Sequence, residues 1–146
     1  MQLRNYFIFI VCLGIGGVPG YLLADSFSGE ITRALFSTKV RNNKPANEVL
    51  ILENNVKKIF FYSEINNAKD TIISHRWEFQ GKKIHEEKFT VKPGKSQLIS
   101  SIMLQADRTG EWMVIVSDEK NWPIKAAMFK YVRKGSFAGK GIIPVR

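Results

Sequence analysis

The chain has 146 residues, 22 Lys and Arg against 13 Asp and Glu, a formal net charge of +9, and 45% hydrophobic with 12% aromatic content. That is enough apolar mass for one core and too short a chain for a second domain of ordinary size. The single cysteine, Cys12, falls in an apolar N-terminal run, so the remainder can form no disulfide, build no cysteine-ligated metal centre and perform no thiol chemistry.

The start, Met1-Gln-Leu-Arg4, is followed by an uncharged run from Asn5 to Ala24 that ends before Asp25. As a helix, residues 5–24 would rise about 30 Å, the thickness of a bilayer's hydrocarbon layer. Arg4 on the short flank directs the N-terminus to the cytoplasm and the C-terminal remainder of the chain to the outside. Segment 1–24 is therefore expected to be one transmembrane or signal helix of a bacterial-type inner membrane. Pro19-Gly20 resembles the helix-breaking end of a cleavable signal, whereas Leu22 spoils the small-x-small pattern before Ala24 and suits a retained signal-anchor. The domain behind it is expected in the periplasm, either on a single-pass anchor or secreted there after cleavage. Gly16 and Gly20 would let a second membrane helix approach closely, although glycine is also common in export segments generally. Outside the membrane the excess cations would meet headgroups, envelope polysaccharide or acidic proteins, and not nucleic acid. They are spread along the chain, which reads as a solvated basic surface.

From Ile31 onward short β-rich runs alternate with turn residues. Strands are expected near 31–40, 57–66, 71–79, 83–91, 96–104, 110–117 and 124–132. The separators, Asn66 to Asp70, Gln80-Gly81-Lys82, Lys92 to Lys95, Asp107 to Gly110 and Asp118 to Asn121, are rich in residues that bend the backbone. Seven strands with hairpin-length links over 31–132 predict an all-β, antiparallel, immunoglobulin-like β-sandwich. Residues 41–56 form the one long connection, in which Val49 to Leu52 is either a helical turn or an edge strand. The 133–146 tail, basic and glycine-rich, is expected outside the core, frayed or added to a sheet edge.

Little in the chain promises catalysis. Gly94-Lys95-Ser96 has the end of a phosphate-binding loop, but Phe89 stands where its first glycine belongs and no helix is expected to follow. The two histidines flank the 80–82 turn. With a three-residue loop Trp77 opposes His85, His75 opposes Glu87, Ile73 opposes Phe89 and Thr71 opposes Val91, which keeps the apolar residues together. That register sets His75, His85 and Glu87 on one face, a weak metal candidate that lacks a second shell; the plainer reading of His75 is a hydrogen-bonded histidine at the core edge. A two-residue loop would send His85 to the other face. No cofactor is expected. Arg76 points away from this face toward Glu78 or Glu64, and Trp77, Trp112 and Phe129 are expected in the core. Trp122, in a polar turn, is expected to be exposed and is an interface candidate.

Two strands, Ile59 to Tyr62 and Trp112 to Val116, are apolar on both faces. A half-exposed sandwich strand should alternate, so Phe60, Tyr62, Met113 and Ile115 would line a second, outward apolar surface. Either the 41–56 connection or another protein must cover it.

Phe36-Ser-Thr-Lys-Val40 with Pro45, Ile59 to Asn66, His75-Arg76-Trp77, Ser100-Ser101, Thr109-Gly110-Glu-Trp112 and Phe129, taken in order over about residues 32–132, resemble the bacterial family called domain of unknown function 2914. The resemblance implies a β-sandwich, often behind a membrane segment, with no established activity, and a structural role for His75, Arg76, Trp77, Gly110 and Trp112. Where that family has a Trp-Arg pair before its Ser-Ser, this chain has Ser96-Gln97-Leu98-Ile99. The expected function is a non-enzymatic, membrane-anchored binding or assembly module, such as an accessory subunit of an envelope membrane complex, with protein subunits as partners. The alternative is a binder of anionic envelope glycan or lipid that uses Trp122 and the tail lysines. A metal-dependent enzyme ranks last.

Overall fold

The computed structural model describes residues 27–136. The expected membrane segment 1–24 and most of the 133–146 tail lie outside the described residues, and within them there is no helix. The described residues are all-β, with two sheets face to face. Ten strands run in order: β1 (Glu30–Ser37), β2 (Val40–Arg41), β3 (Lys44–Pro45), β4 (Ile51–Glu53), β5 (Lys58–Ala68), β6 (Thr71–Phe79), β7 (Lys82–Val91), β8 (Gly94–Met103), β9 (Gly110–Ser117) and β10 (Pro123–Val132). One sheet has the order β1-β5-β8 and the other β4-β10-β9-β6-β7, while β2 and β3 form a small separate hairpin. All seven strands expected from the turn spacing are present.

Alternation along the strands builds the core between the sheets. Ile59, Phe61 and Ile65 of β5 and Leu98 of β8 face Ile73 and Trp77 of β6, Trp112, Val114 and Val116 of β9, and Phe129 and Tyr131 of β10, all buried. Phe36 of β1 lies at the aromatic centre, with ring centroids 5.1 Å from Phe61, 5.8 Å from Trp77 and 4.7 Å from Phe129. These are tilted or edge-on distances of the kind that aromatic quadrupoles favour.

The β6–β7 hairpin settles the question of register. Its pairs are Thr71 with Val91, Ile73 with Phe89, His75 with Glu87 and Trp77 with His85, as the apolar pattern predicts. The loop is nevertheless two residues, because Phe79 pairs with Lys82. Gln80 and Gly81 take φ of 49° and 75°, the left-handed values of a primed two-residue turn. The missing residue is made up in β7, where the register shifts between Trp77 and Glu78 and leaves Ile84 as an extra, bulged residue. The expected three-residue loop is thus replaced by a shorter turn and a bulge with the same net count.

The 41–56 connection is neither loose nor a roof over an outer face. It makes the β2–β3 hairpin around Asn42 and Asn43, at φ of 50° and 56°. Ser37 Oγ then donates to Asn47 Oδ1 at 2.7 Å, and Val49 N donates to Phe36 O at 2.9 Å. Val49 and Leu52 are buried in the core, and β4 pairs parallel with β10 through Ile51–Lys130, Leu52–Tyr131 and Glu53–Val132. Of the two expectations for Val49 to Leu52, the edge strand is what forms. The connection closes one side of the sandwich.

Candidate functional site

Two groupings of polar and apolar residues stand out, one between the sheets and one outside them. Between the sheets, His75 is fully buried and both its ring nitrogens are engaged: Nε2 with Ser63 Oγ at 2.8 Å and Nδ1 with Ser100 Oγ at 2.9 Å. Ser100 Oγ also accepts from Trp77 Nε1 at 3.1 Å. The network bridges β5 and β8 of one sheet to β6 of the other. The Phe61 and Phe89 rings, each 4.8 Å from the imidazole centroid, enclose it. Burial pushes the His75 pKa down to about 3, so the ring is neutral at ordinary pH, one nitrogen donating and the other accepting. A neutral, enclosed histidine satisfied by two serines holds sheets together; it has no route to a substrate.

The weak metal candidate does not assemble. His75 turns across the sheet gap to the serines and not toward its strand neighbour Glu87. His85 lies exposed on the side of the sandwich, in a cleft of about 320 Å³ lined also by Ile84, Met103, Arg108 and Trp112. No three His, Cys, Asp or Glu side chains among the described residues could hold a metal ion together.

The other motif residues have equally local reasons. Arg76 points outward and its Nε pairs with Glu78 Oε1 at 2.7 Å. Gly110 has φ of 142°, a conformation L side chains rarely adopt, and a Cβ there would meet the Phe79 ring at 3.3 Å. Phe79 in turn packs 4.8 Å from Trp112, whose Nε1 donates to Arg108 O at 3.1 Å.

Outside the sheets, the four residues expected to share one outward apolar surface divide between opposite faces of the sandwich. Phe60 and Tyr62 lie on the outer face of β1-β5-β8, Met113 and Ile115 on that of the five-stranded sheet. Strand parity tells inside from outside, but not which sheet a strand joins.

The two faces also differ in cover. Tyr62 is fully buried although it points outward: it pairs with Leu35 and Ile99, and the Arg33 guanidinium lies 5.5 Å above its ring. Its Oη donates to Glu64 Oε2 at 2.9 Å, and Lys95 Nζ pairs with Glu64 Oε1 at 3.0 Å. The Lys95 and Tyr62 hydrogen bonds hold the Glu64 carboxyl down at about 2, while burial raises the Tyr62 phenol. Phe60 is half-buried with Lys58 Nζ 4.9 Å over its ring. Cations on long apolar stems therefore roof this face.

On the five-stranded sheet Met113 pairs directly with Met128, and Ile115 with Ala126. Met113 and Ile115 are half-buried, Ala126 is exposed, Met128 is 53% exposed and Ile51, at the edge of the same sheet, is 42% exposed. Sequence reasoning missed Met128 and Ile51. The signal available was parity, since Met128 precedes the core residue Phe129 and must face the other way.

Trp122 is 66% exposed, on a turn held rigid by Asp118, whose Oδ1 accepts from Lys120 N at 2.9 Å and Trp122 N at 2.8 Å. It stands at the end of the sandwich where β1 and β10 begin, whereas residues 133–136 leave from the other end. Trp122 and the described start of the tail, with Lys134, thus lie at opposite ends, while Lys140, the other tail lysine of the expected anion site, lies outside the described residues. The charge that looks dispersed in sequence is polarised in space. The links at the tail end carry Lys39, Arg41, Lys44, Lys57, Arg108, Arg133 and Lys134 against Glu48, Glu53 and Asp107. Those at the Trp122 end carry Lys69, Lys92 and Lys120 against Asp70, Asp118 and Glu119.

Fold and sites together define a β-sandwich domain whose one buried histidine is a structural tie and whose two outer faces are finished differently. Residues 70–131 match the model of a family described as a protein of unknown function, DUF2914. The match spans β6 to β10 and includes His75, Trp77, Ser100, Gly110 and Trp112; Phe36 to Val40 and Ile59 to Asn66 lie outside it. No curated protein matches the chain.

Proposed function

We propose that the chain is a non-enzymatic, membrane-anchored, extracytoplasmic binding or assembly module. Its immunoglobulin-like sandwich docks a protein subunit of an envelope membrane complex on the outer face of the five-stranded sheet. The observation that carries the reading is the Met113–Met128 and Ile115–Ala126 block, extended toward Ile51, on a face where Met128 and Ile51 are 53% and 42% exposed. Methionine adapts to irregular partner surfaces, and an apolar strip rimmed by charges such as the Arg76–Glu78 pair is the composition of an interface centre. The immunoglobulin-like assignment is supported by the division of the seven long strands into β1-β5-β8 and β10-β9-β6-β7, with the chain crossing between sheets after β5, β7 and β8. The enclosure of His75 favours a non-enzymatic role.

The test is to purify the full chain and its Met113→Ser, Met128→Ser variant from detergent-solubilised membranes, with melting curves of both. A stoichiometric partner retained by the parent and lost by an equally folded variant is the expected result. A parent that elutes alone, or a partner that stays on the variant, sinks the reading. The second reading, binding of an anionic envelope glycan or lipid, is favoured by the basic end at Lys39, Arg41, Lys57 and Arg133. It expects binding to an acidic polysaccharide that collapses with added salt.

A further inference from the structure

At the end of the sandwich where the described chain begins, Phe27 packs against the core. A Cβ on Gly29 would stand 2.6 Å from the Phe27 ring and 3.2 Å from Ala68 Cα, so the chain enters pressed onto the sheet end. Only three Cα steps separate Ala24, the last residue of the apolar run, from Phe27, a span of at most about 11 Å. Phe27 and Ser28 line a cleft of about 110 Å³ with Lys69, Asp70 and the Asp118 to Lys120 turn. That turn continues to Trp122, whose carbonyl accepts from Asp118 N at 3.0 Å.

We infer that this end of the sandwich sits on the bilayer surface, with Trp122 as a rigid anchor in the interfacial layer. The inference rests on the reading of residues 5–24 as a membrane segment. Given that segment, the short link leaves the Phe27 end of the domain close to the headgroups. Tryptophan is the side chain most at home there, its ring body apolar and its N–H wet. Trp122 is 66% exposed on a backbone already fixed by Asp118, so little freedom is lost when the indole is immersed. The turns around it carry Lys69, Lys92 and Lys120 against Asp70, Asp118 and Glu119, and Lys92 Nζ lies 3.5 Å from Asp70 Oδ1. Charge therefore cancels locally, and the seat works through the aromatic ring on a neutral, zwitterionic surface. The basic end is directed away from the membrane.

The three tryptophans make the test direct, because Trp77 and Trp112 are 0% and 1% exposed. The full chain is reconstituted into phosphatidylcholine vesicles carrying a shallow, headgroup-level quencher, and the emission of a Trp122→Phe variant is subtracted. The expected result is loss of most of the Trp122 emission, protection from aqueous iodide, and little change when phosphatidylglycerol is mixed in. Vesicle-bound protein whose Trp122 emission is quenched by iodide and not by lipid overturns the inference and leaves the anchor reading intact. Protection from both quenchers overturns it in favour of a protein cover, and quenching that appears only with phosphatidylglycerol overturns the aromatic mechanism. A chain that fails to float with the vesicles overturns this inference and the anchor reading together.

Discussion

On the outer face of the three-stranded sheet, Tyr62 lies fully buried under Arg33 and between Leu35 and Ile99. On the outer face of the five-stranded sheet, Met128, beside Met113, is more than half exposed. Both faces arise from strands that are apolar on two sides, so hydrophobicity alone does not separate them. What separates them is the neighbouring strand. β1 supplies Arg33 across from Glu64, and β8 supplies Ile99 across from Tyr62, while β10 supplies Ala126 and Met128. An outward apolar residue roofed by its own sheet is part of the domain's stability, and one left open is available to something else.

Substitutions on and between the faces should respond in a graded way. The largest effect belongs to the core that both sheets share: Trp77→Ala and Trp112→Ala should each cost about 3 to 5 kcal/mol, as buried large-to-small changes do. Chemical denaturation measures it, and a variant as stable as the parent would mean that the ring is not packed as described. Tyr62→Ala should fall near the lower end of that range, about 3 kcal/mol, because its face is sealed. The Met113→Ser, Met128→Ser pair should cost only about 1 kcal/mol, in line with partly exposed positions. If the methionine pair proves as costly as Tyr62, the five-stranded face is roofed too and the docking surface is lost.

Acid should sharpen the contrast between core and faces. His75 is neutral when folded, with its pKa near 3 against an ordinary 6.5, so the unfolded chain takes up a proton first. The stability it contributes is complete above pH 6.5 and declines as pH falls toward 3, at about 1.4 kcal/mol per unit. Glu64, on the roofed face, is held down to about 2 from 4.5; its contribution is present above pH 4.5 and fades only between there and 2. Between pH 6.5 and 4.5 the decline therefore belongs to His75, about 2 to 3 kcal/mol in all. It should vanish in His75→Gln; a slope that survives the substitution would mean that another group sets it. The smallest effect is that of Lys95→Ala, below about 1 kcal/mol as for exposed ion pairs, seen mainly as a rise in the pKa of Glu64 by carboxyl NMR.

Much of this was legible in sequence. Turn residues placed seven strands, and the apolar pattern of Ile73, Trp77, Phe89 and Val91 fixed the β6–β7 register, because a slip of β7 by one residue would turn Phe89 and Val91 away from the side that holds Ile73 and Trp77. The His75 network was legible only in part. Ser63 and Ser100 occupy inward positions in otherwise apolar alternations, Ile59-x-Phe61-x-Ser63-x-Ile65 and Leu98-x-Ser100-x-Ile102. Polar residues at core parity do ask for a partner, but the partner lies on the opposite sheet. The faces were not legible, because sheet membership depends on which links cross the sandwich, and the cation over Tyr62, Arg33, comes from the neighbouring strand β1, although Lys58 over Phe60 sits two residues away on β5 itself. β4 was legible only as one of two alternatives for Val49 to Leu52, because a three-residue parallel strand owes its place to the burial of Val49 and Leu52 and the pairing with β10, not to its own pattern.

The bulge at Ile84 has a further consequence. A two-residue turn by itself sets the returning strand out of phase with β6, and bulging one residue out of the ladder brings it back, like a leap day in a calendar. Everything after it, His85, Glu87, Phe89 and Val91, owes its side of the sheet to that correction. The hairpin should therefore tolerate both substitution and deletion of Ile84, which is 39% exposed and has no partner in the ladder. Removing that residue alone would let His85 follow Lys83 directly, still opposite Trp77, so that Phe89 and Val91 keep their inward places in an unbulged ladder.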